Sequence, residues 1–292
     1  MRAVDLPPVI GRCSARRAGE GQLTEDDLDT LSETLRRRSG VLLPPHSPEA
    51  LANLLSPVLR RFGLTGIPAL SAELRQGREE LARAVAEALA TSASGFFRDP
   101  AMFERFAAQT LPRLLAGSAE TRHLRIWCAA CAAGQEAWSI AMLIAEAGLE
   151  GWTVEILATD FNTALVERAE AGLYAEAEMQ GVSEDRRAAH FVPDGNAWRI
   201  RDELRAMTVF RTFNLLDPCD RLGRFDAVFC RNLLIYFDTA TAGAVLERLA
   251  NVIAPGGALM LGPGETLRGF AGNLRSVAPG EYVRTAAMGA DR

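Results

Sequence analysis

Hydrophobic positions fall into two regimes along the 292 residues. From Thr24 to Leu89 apolar residues recur at helical spacing; from Leu124 onward short apolar runs alternate with helical stretches. In the first regime Leu28, Leu31 and Leu35 form one stripe, with Thr24 as N-cap and Arg36-Arg37-Arg38 before the stop at Gly40. Acids in the first turn and bases in the last complement the helix dipole. A second helix starts at Ser47-Pro48, carries Leu51, Leu54, Leu55, Val58 and Leu59, and ends at Gly63. Leu70 to Leu74 and Leu81 to Leu89 add two further amphipathic segments. The pattern predicts an all-helical N-terminal domain over residues 23–90, behind an Arg-, Gly- and Pro-rich tail, 1–22, expected to fray.

In the second regime, Leu124 to Cys128 suits a strand buried on both faces. A turn of small residues, Ala129 to Gly134, leads into Gln135, Glu136 and an apolar-periodic helix from Trp138 to Ala147. Val154 to Ala158, Val209 to Phe213, Phe225 to Cys230 and Ala258 to Leu261 supply four more strands, with helices at Thr163 to Ala171 and Thr239 to Ile253. Gly272 to Val277 and Tyr282 to Thr285 can close the sheet as an antiparallel pair. Strands alternating with helices indicate an α/β, doubly wound, Rossmann-like sheet over residues 121–292. Within it, Pro193-Asp194-Gly195-Asn196 sits between the short runs His190 to Val192 and Trp198 to Ile200, a hairpin signal. Residues 174–211 therefore read as a small inserted antiparallel β-subdomain. Residues 91–120 read as a linker carrying Phe96-Phe97-Arg98, followed by one helix from Ala101 to Leu115.

Composition narrows the function classes. With 48% hydrophobic and 24% charged residues the chain is ordinary globular material. No apolar run has the roughly 18–20 residues a bilayer-spanning helix needs. A net charge of -5 speaks against a general nucleic-acid binder. The five cysteines include Cys128-x-x-Cys131, but no second pair or histidine cluster accompanies it, so buried packing is expected and no metal site. A reducing, cytoplasmic setting and a monomer are the expectation.

The polar residues gather where such a sheet binds ligands, at the carboxyl ends of its strands. Glu136 follows the first strand and Asp160 ends the second; Asn214-Leu215 and Arg231-Asn232 follow later ones. Only Gly134 is a glycine in the first turn, so the glycine fingerprint of dinucleotide binding is missing, and an acid there favours an ammonium over a phosphate. Asp160 is placed to accept from ribose hydroxyls. S-adenosylmethionine has an amino group and a ribose and lacks a pyrophosphate.

Six motifs in order then carry a specific resemblance: SGFFRDP (94–100), GQEAWSIA (134–141), ATD (158–160), NLLD (214–217), FDAVFCRNLLIYF (225–237) and PGGALMLGPGE (255–265). Over residues 24–285 the chain resembles the chemoreceptor glutamate methyltransferases of bacterial chemotaxis, the CheR family. That resemblance implies S-adenosylmethionine as cofactor, with Ser92, Ser94, Arg98, Glu136, Asp160, Asn214, Leu215, Arg231 and Asn232 on cofactor-contacting positions. It implies Arg98 and Tyr236 as the residues that orient the reacting groups, and the cytoplasmic helices of chemoreceptors as the protein substrate. Departures from the family pattern are Ser92, Ala93 and Ser94 before the phenylalanines, Ala137 after Glu136, and Pro263-Gly264 before Glu265. The second helix, often basic in the family, has charges only at Glu49, Arg60 and Arg61. Two alternatives accompany this reading: the same fold methylating another acceptor, and a catalytically idle regulator that binds S-adenosylmethionine.

Overall fold

The structure is a computed structural model that describes residues 23–90 and 94–285. It begins with α1 (Glu25–Ser39), fixed at its start by a capping box. Asp27 N donates to Thr24 Oγ1 at 3.2 Å, and Thr24 N donates back to Asp27 Oδ2 at 3.1 Å. Burial alone would raise the Asp27 pKa, but the bonds from Thr24 outweigh it and the carboxyl ends below its ordinary value. Three more helices follow, α2 (Pro48–Phe62), α3 (Ile67–Arg75) and α4 (Glu79–Leu89). Leu31, Leu35, Leu55, Leu70, Leu81 and Val85 are fully buried, so the helical stripes legible in the sequence meet in one core. That core does not stop at the helices. It runs on through Trp127, Leu157, Val228 and Leu259 onto one face of the main sheet.

After Phe96-Phe97 the chain forms α5 (Pro100–Arg105), one wide π-type turn at Phe106–Thr110, and α6 (Leu111–Gly117). The single helix expected from Ala101 to Leu115 is thus interrupted. Pro112 has no N–H to give and its ring crowds the carbonyl four residues earlier, and the wider turn just before it relieves that conflict. Phe96, Phe97, Met102, Phe103, Phe106, Leu111 and Leu114 are buried against the sheet's second face, so this stretch is part of the sheet's own packing.

The α/β portion runs β1 (His123–Cys128), α7 (Gln135–Glu146), β2 (Thr153–Asp160), α8 (Thr163–Ala171), β3 (Leu173–Ala175), α9 (Glu184–His190), β4 (Phe191–Asp194), β5 (Ala197–Ile200), α10 (Asp202–Ala206), β6 (Thr208–Thr212), β7 (Phe225–Cys230), α11 (Thr239–Val252), β8 (Ile253–Leu261), β9 (Leu274–Ala278) and β10 (Glu281–Arg284). Seven strands make the main sheet in the order β6-β2-β1-β7-β8-β10-β9. The first five are parallel, and β10 runs antiparallel to both β8 and β9. Strand order reverses between β1 and β7, which opens a crevice at their carboxyl ends. Cys128, Cys131, Cys219 and Cys230 are free thiols packed in the interior; Cys13 lies outside the described residues.

A second sheet, ordered β3-β5-β4, contains the hairpin that Pro193-Asp194-Gly195-Asn196 signals. Its third strand, β3, was not visible in the sequence. Three residues carry too little alternation to register, and β3 is a strand because β5 pairs with it, Tyr174 opposite Trp198. The main sheet resumes at Thr208. Among the described residues no helix is long and apolar enough to cross a membrane.

Candidate active site

One cavity of about 1100 Å³, open solvent at its mouth included, lies over the crevice. Its floor is the turn after β1, contributing Ala129, Ala130, Ala132 and Glu136. That turn is cramped. Gly134 adopts φ 91°, and a Cβ there would sit 2.7 Å from Ala169 Cβ on α8, so only glycine passes. Asp160 and Phe161 enter from the end of β2, Phe213, Asn214 and Leu215 from the end of β6, and Arg231, Asn232, Ile235 and Tyr236 from beyond β7. Ser94, Gly95 and Arg98 close one side, and Ser39, Val41 and Ala90 of the helical portion form a roof.

Nine of the ten residues singled out in the sequence therefore line a single cavity, and Glu136 and Asp160 open into the same space. Ser92 lies outside the described residues. Their surroundings differ from what spacing alone implied. Asp160, 8% exposed, accepts from Ala132 N at 2.9 Å through Oδ2 and from Asn162 N at 3.0 Å through Oδ1. Burial raises its pKa, and the amides of Asn162 and Ala132 only partly offset that. An ionised carboxylate has about four lone-pair sites, so acceptor capacity remains for a ligand.

Arg231 is deeply enclosed, its side chain 1% exposed. Nη1 donates to Glu136 Oε2 at 2.8 Å, while Nη2 donates to Asp99 Oδ2 and, at 3.1 Å, to the Arg98 carbonyl. The guanidinium thus clamps the Phe-Phe-Arg segment to the turn after β1. Glu136 Oε1 also accepts from Cys128 Sγ at 3.1 Å. Burial first, and the Glu136 carboxylate second, push the Cys128 thiol well up, so it does not act as a nucleophile. Flanking Arg98, Phe97 and Asp99 sit at φ 49° and 64°, left-handed conformations rare outside glycine. Phe97 N is held by Ser139 Oγ at 3.0 Å, and Asp99 by Arg231, so the surroundings fix both.

Asn214 spends its amide on architecture. Nδ2 donates to the Arg38 carbonyl at 2.6 Å and Oδ1 accepts from Leu216 N at 3.1 Å, which ties the end of α1 to the cavity wall. A second tie runs from Leu42 N to the Tyr236 carbonyl at 2.8 Å, beside a bridge between Val41 and Phe237. The sequence reading missed Asp99, Phe161, Phe213, Ser39 and Val41. Phe161 and Phe213 adjoin residues already selected, and Asp99 precedes a proline, a place where Asp tolerates unusual backbone. Nothing local marks Ser39 or Val41, which reach the cavity only by domain packing.

The family model described as CheR methyltransferase, SAM binding domain, matches residues 92–283. The chain belongs to the CheR methyltransferase family. It is 33% identical over 263 residues to a chemotaxis protein methyltransferase of Vibrio parahaemolyticus, covering 87% of this chain and 94% of that one. It is 32% identical over 267 residues to chemotaxis protein methyltransferase 1 of Pseudomonas aeruginosa, covering 88% and 97%. A probable biofilm formation methyltransferase, WspC, of the same species is 37% identical over 188 residues, covering 63% of this chain and 44% of that one. The protein is a methyltransferase whose cofactor is S-adenosylmethionine.

The cavity's chemistry fits that cofactor. Its two acids and absence of a phosphate cradle match a ligand with amino and ribose groups. Asp160, whose carboxylate gives one oxygen to each of two amides, keeps acceptor capacity at the cavity wall.

Proposed function

We propose that the protein forms γ-methyl esters on glutamate side chains of chemoreceptor cytoplasmic helices, as a cytoplasmic monomer. The observation that carries this reading is the convergence of Arg98 and Tyr236 on the cavity that Glu136 and Asp160 share. Asp160 holds the ribose, Glu136 the amino group, and Asn232 and Arg231 the remainder of the amino-acid portion. S-adenosylmethionine supplies a methyl on a sulfonium centre. A glutamate, with an ordinary pKa near ~4.3, arrives ionised and needs no general base. Arg98 would bind one carboxylate oxygen and Tyr236 would donate a phenolic hydrogen bond, which would leave the second oxygen free to accept the methyl. When bound, S-adenosylmethionine would supply a methyl whose transfer leaves the electron pair on sulfur, and an already ionised acceptor would ask no residue here to take a proton.

A second reading, the same chemistry on another signalling protein, is favoured by one feature. The second helix offers little positive charge to an acidic receptor, since Arg61 is already paired with Glu80 at 2.8 Å. Incubating the full chain with methyl-labelled S-adenosylmethionine and chemoreceptor cytoplasmic fragments is expected to put base-labile label on receptor glutamates. Label on a different protein of a cell extract would move the acceptor, and cofactor binding without any transfer would show an idle regulator.

A further inference from the structure

Glu265 has no role in the reading above, yet its carboxylate accepts four backbone hydrogen bonds, more than any other carboxylate among the described residues. It is 5% exposed. Oε2 accepts from Asn232 N at 2.8 Å and Gly262 N at 2.7 Å; Oε1 accepts from Leu233 N at 2.9 Å and Leu234 N at 2.7 Å. Three of these four donors are consecutive amides of the segment after β7, and the fourth directly follows β8. The carboxylate therefore welds two strand ends together. Gly262 is what lets it in: a Cβ there would lie 2.8 Å from Oε2 and 2.9 Å from Asn232 N.

The held segment has an unusual path. Asn232 adopts φ 57°, and a tight turn follows at Leu234–Tyr236. On one side Leu234 is buried in the core, while on the other Asn232, Ile235 and Tyr236 line the cavity. Three consecutive N–H groups pointing one way have no strand or helix partner of their own, so without an anion at their focus the segment has no reason to keep this shape. We propose that Glu265 is the positioning residue of the acceptor side of the site: it templates residues 232–236 and so aims the Tyr236 phenol at the reacting carboxylate. Its influence is local, because Glu136 stands in the first turn of α7 and Asp160 at the end of β2, and its four bonds go to neither. The proposal rests on the role given to Tyr236 under the proposed function.

The chain has three tyrosines, Tyr174, Tyr236 and Tyr282, so uniform 3-fluorotyrosine labelling gives three fluorine resonances. Tyr236→Phe assigns one, and Tyr174, whose hydroxyl donates to the Ala133 carbonyl at 2.7 Å, reports on the turn after β1. In Glu265→Gln, which puts an NH₂ among four donors, the Tyr236 resonance is expected to shift and broaden. The other two stay in place. An unmoved Tyr236 resonance overturns the proposal. If all three resonances collapse, Glu265→Asp, which keeps the charge but withdraws it by one methylene, decides: movement confined to Tyr236 supports positioning, and collapse of all three means general scaffolding and overturns it. Full methyl transfer by Tyr236→Phe would instead overturn the role of the tyrosine, a result separable from the fluorine data.

Discussion

Asp160 shows how burial changes the working range of one group. Its carboxyl titrates above the ordinary aspartate value near ~3.9 because burial disfavours the charge. For an acid raised on folding, ionisation is disfavoured in the folded state, so protonating Asp160 does not by itself unfold the protein. What acidification removes is acceptor capacity toward the ligand. Affinity for S-adenosylhomocysteine is therefore expected to fall as pH drops through that raised value, earlier than a free aspartate would protonate. Asp160→Asn is expected to bind weakly with this step gone, as calorimetry across a pH series would show. The sequence placed Asp160 at the end of a strand and Glu136 at the start of the helix that follows one, since side-chain chemistry and strand order are local signals. It could not show that Arg231 would be buried between Glu136 and Asp99. That pairing joins residues 95 and 132 positions apart, and only the packed molecule brings them together.

Elements follow their sequence signals closely where those signals are local. Thr24, the acids after it and Gly40 delimit α1, and Asn162 and Gly172 delimit α8. Thr24→Ala is expected to destabilise the protein by about 1 kcal/mol through loss of the N-cap, read as a thermal midpoint lower by roughly 2–4 °C. Because Asp27 is depressed in the folded state, its contribution is present above the unfolded value and fades as pH falls through the lower folded one. The caps were legible because each involves residues within four positions. The wide turn before Pro112 and the three-residue β3 were not: one is a compromise between proline and helix, the other exists only as a partner of β5.

At the scale of the molecule, the helical portion acts as a roof to the cavity and shares its core with one face of the main sheet. Asn214 to the Arg38 carbonyl and Leu42 to the Tyr236 carbonyl fasten it across more than 170 residues of sequence. Asn214→Ala removes one fastening and leaves the Arg38 carbonyl and Leu216 N–H unpaired. At about 1 kcal/mol for the bond that fastens the roof, S-adenosylhomocysteine affinity is expected to drop roughly fivefold as the roof loosens, together with a lower thermal midpoint. Unchanged affinity in that variant would show that the roof does not govern the cofactor. By itself the sequence determined the regular elements, the doubly wound order of strand and helix, and which acids, amides and cations stand at strand ends, because periodicity and capping are short-range properties of the chain. Only the tertiary structure decided that Ser39 and Val41 close the cavity, that Asn214 faces a helix, and that Glu265 gathers four amides. Those arrangements depend on which surfaces bury each other, and burial is a property of the whole packed molecule.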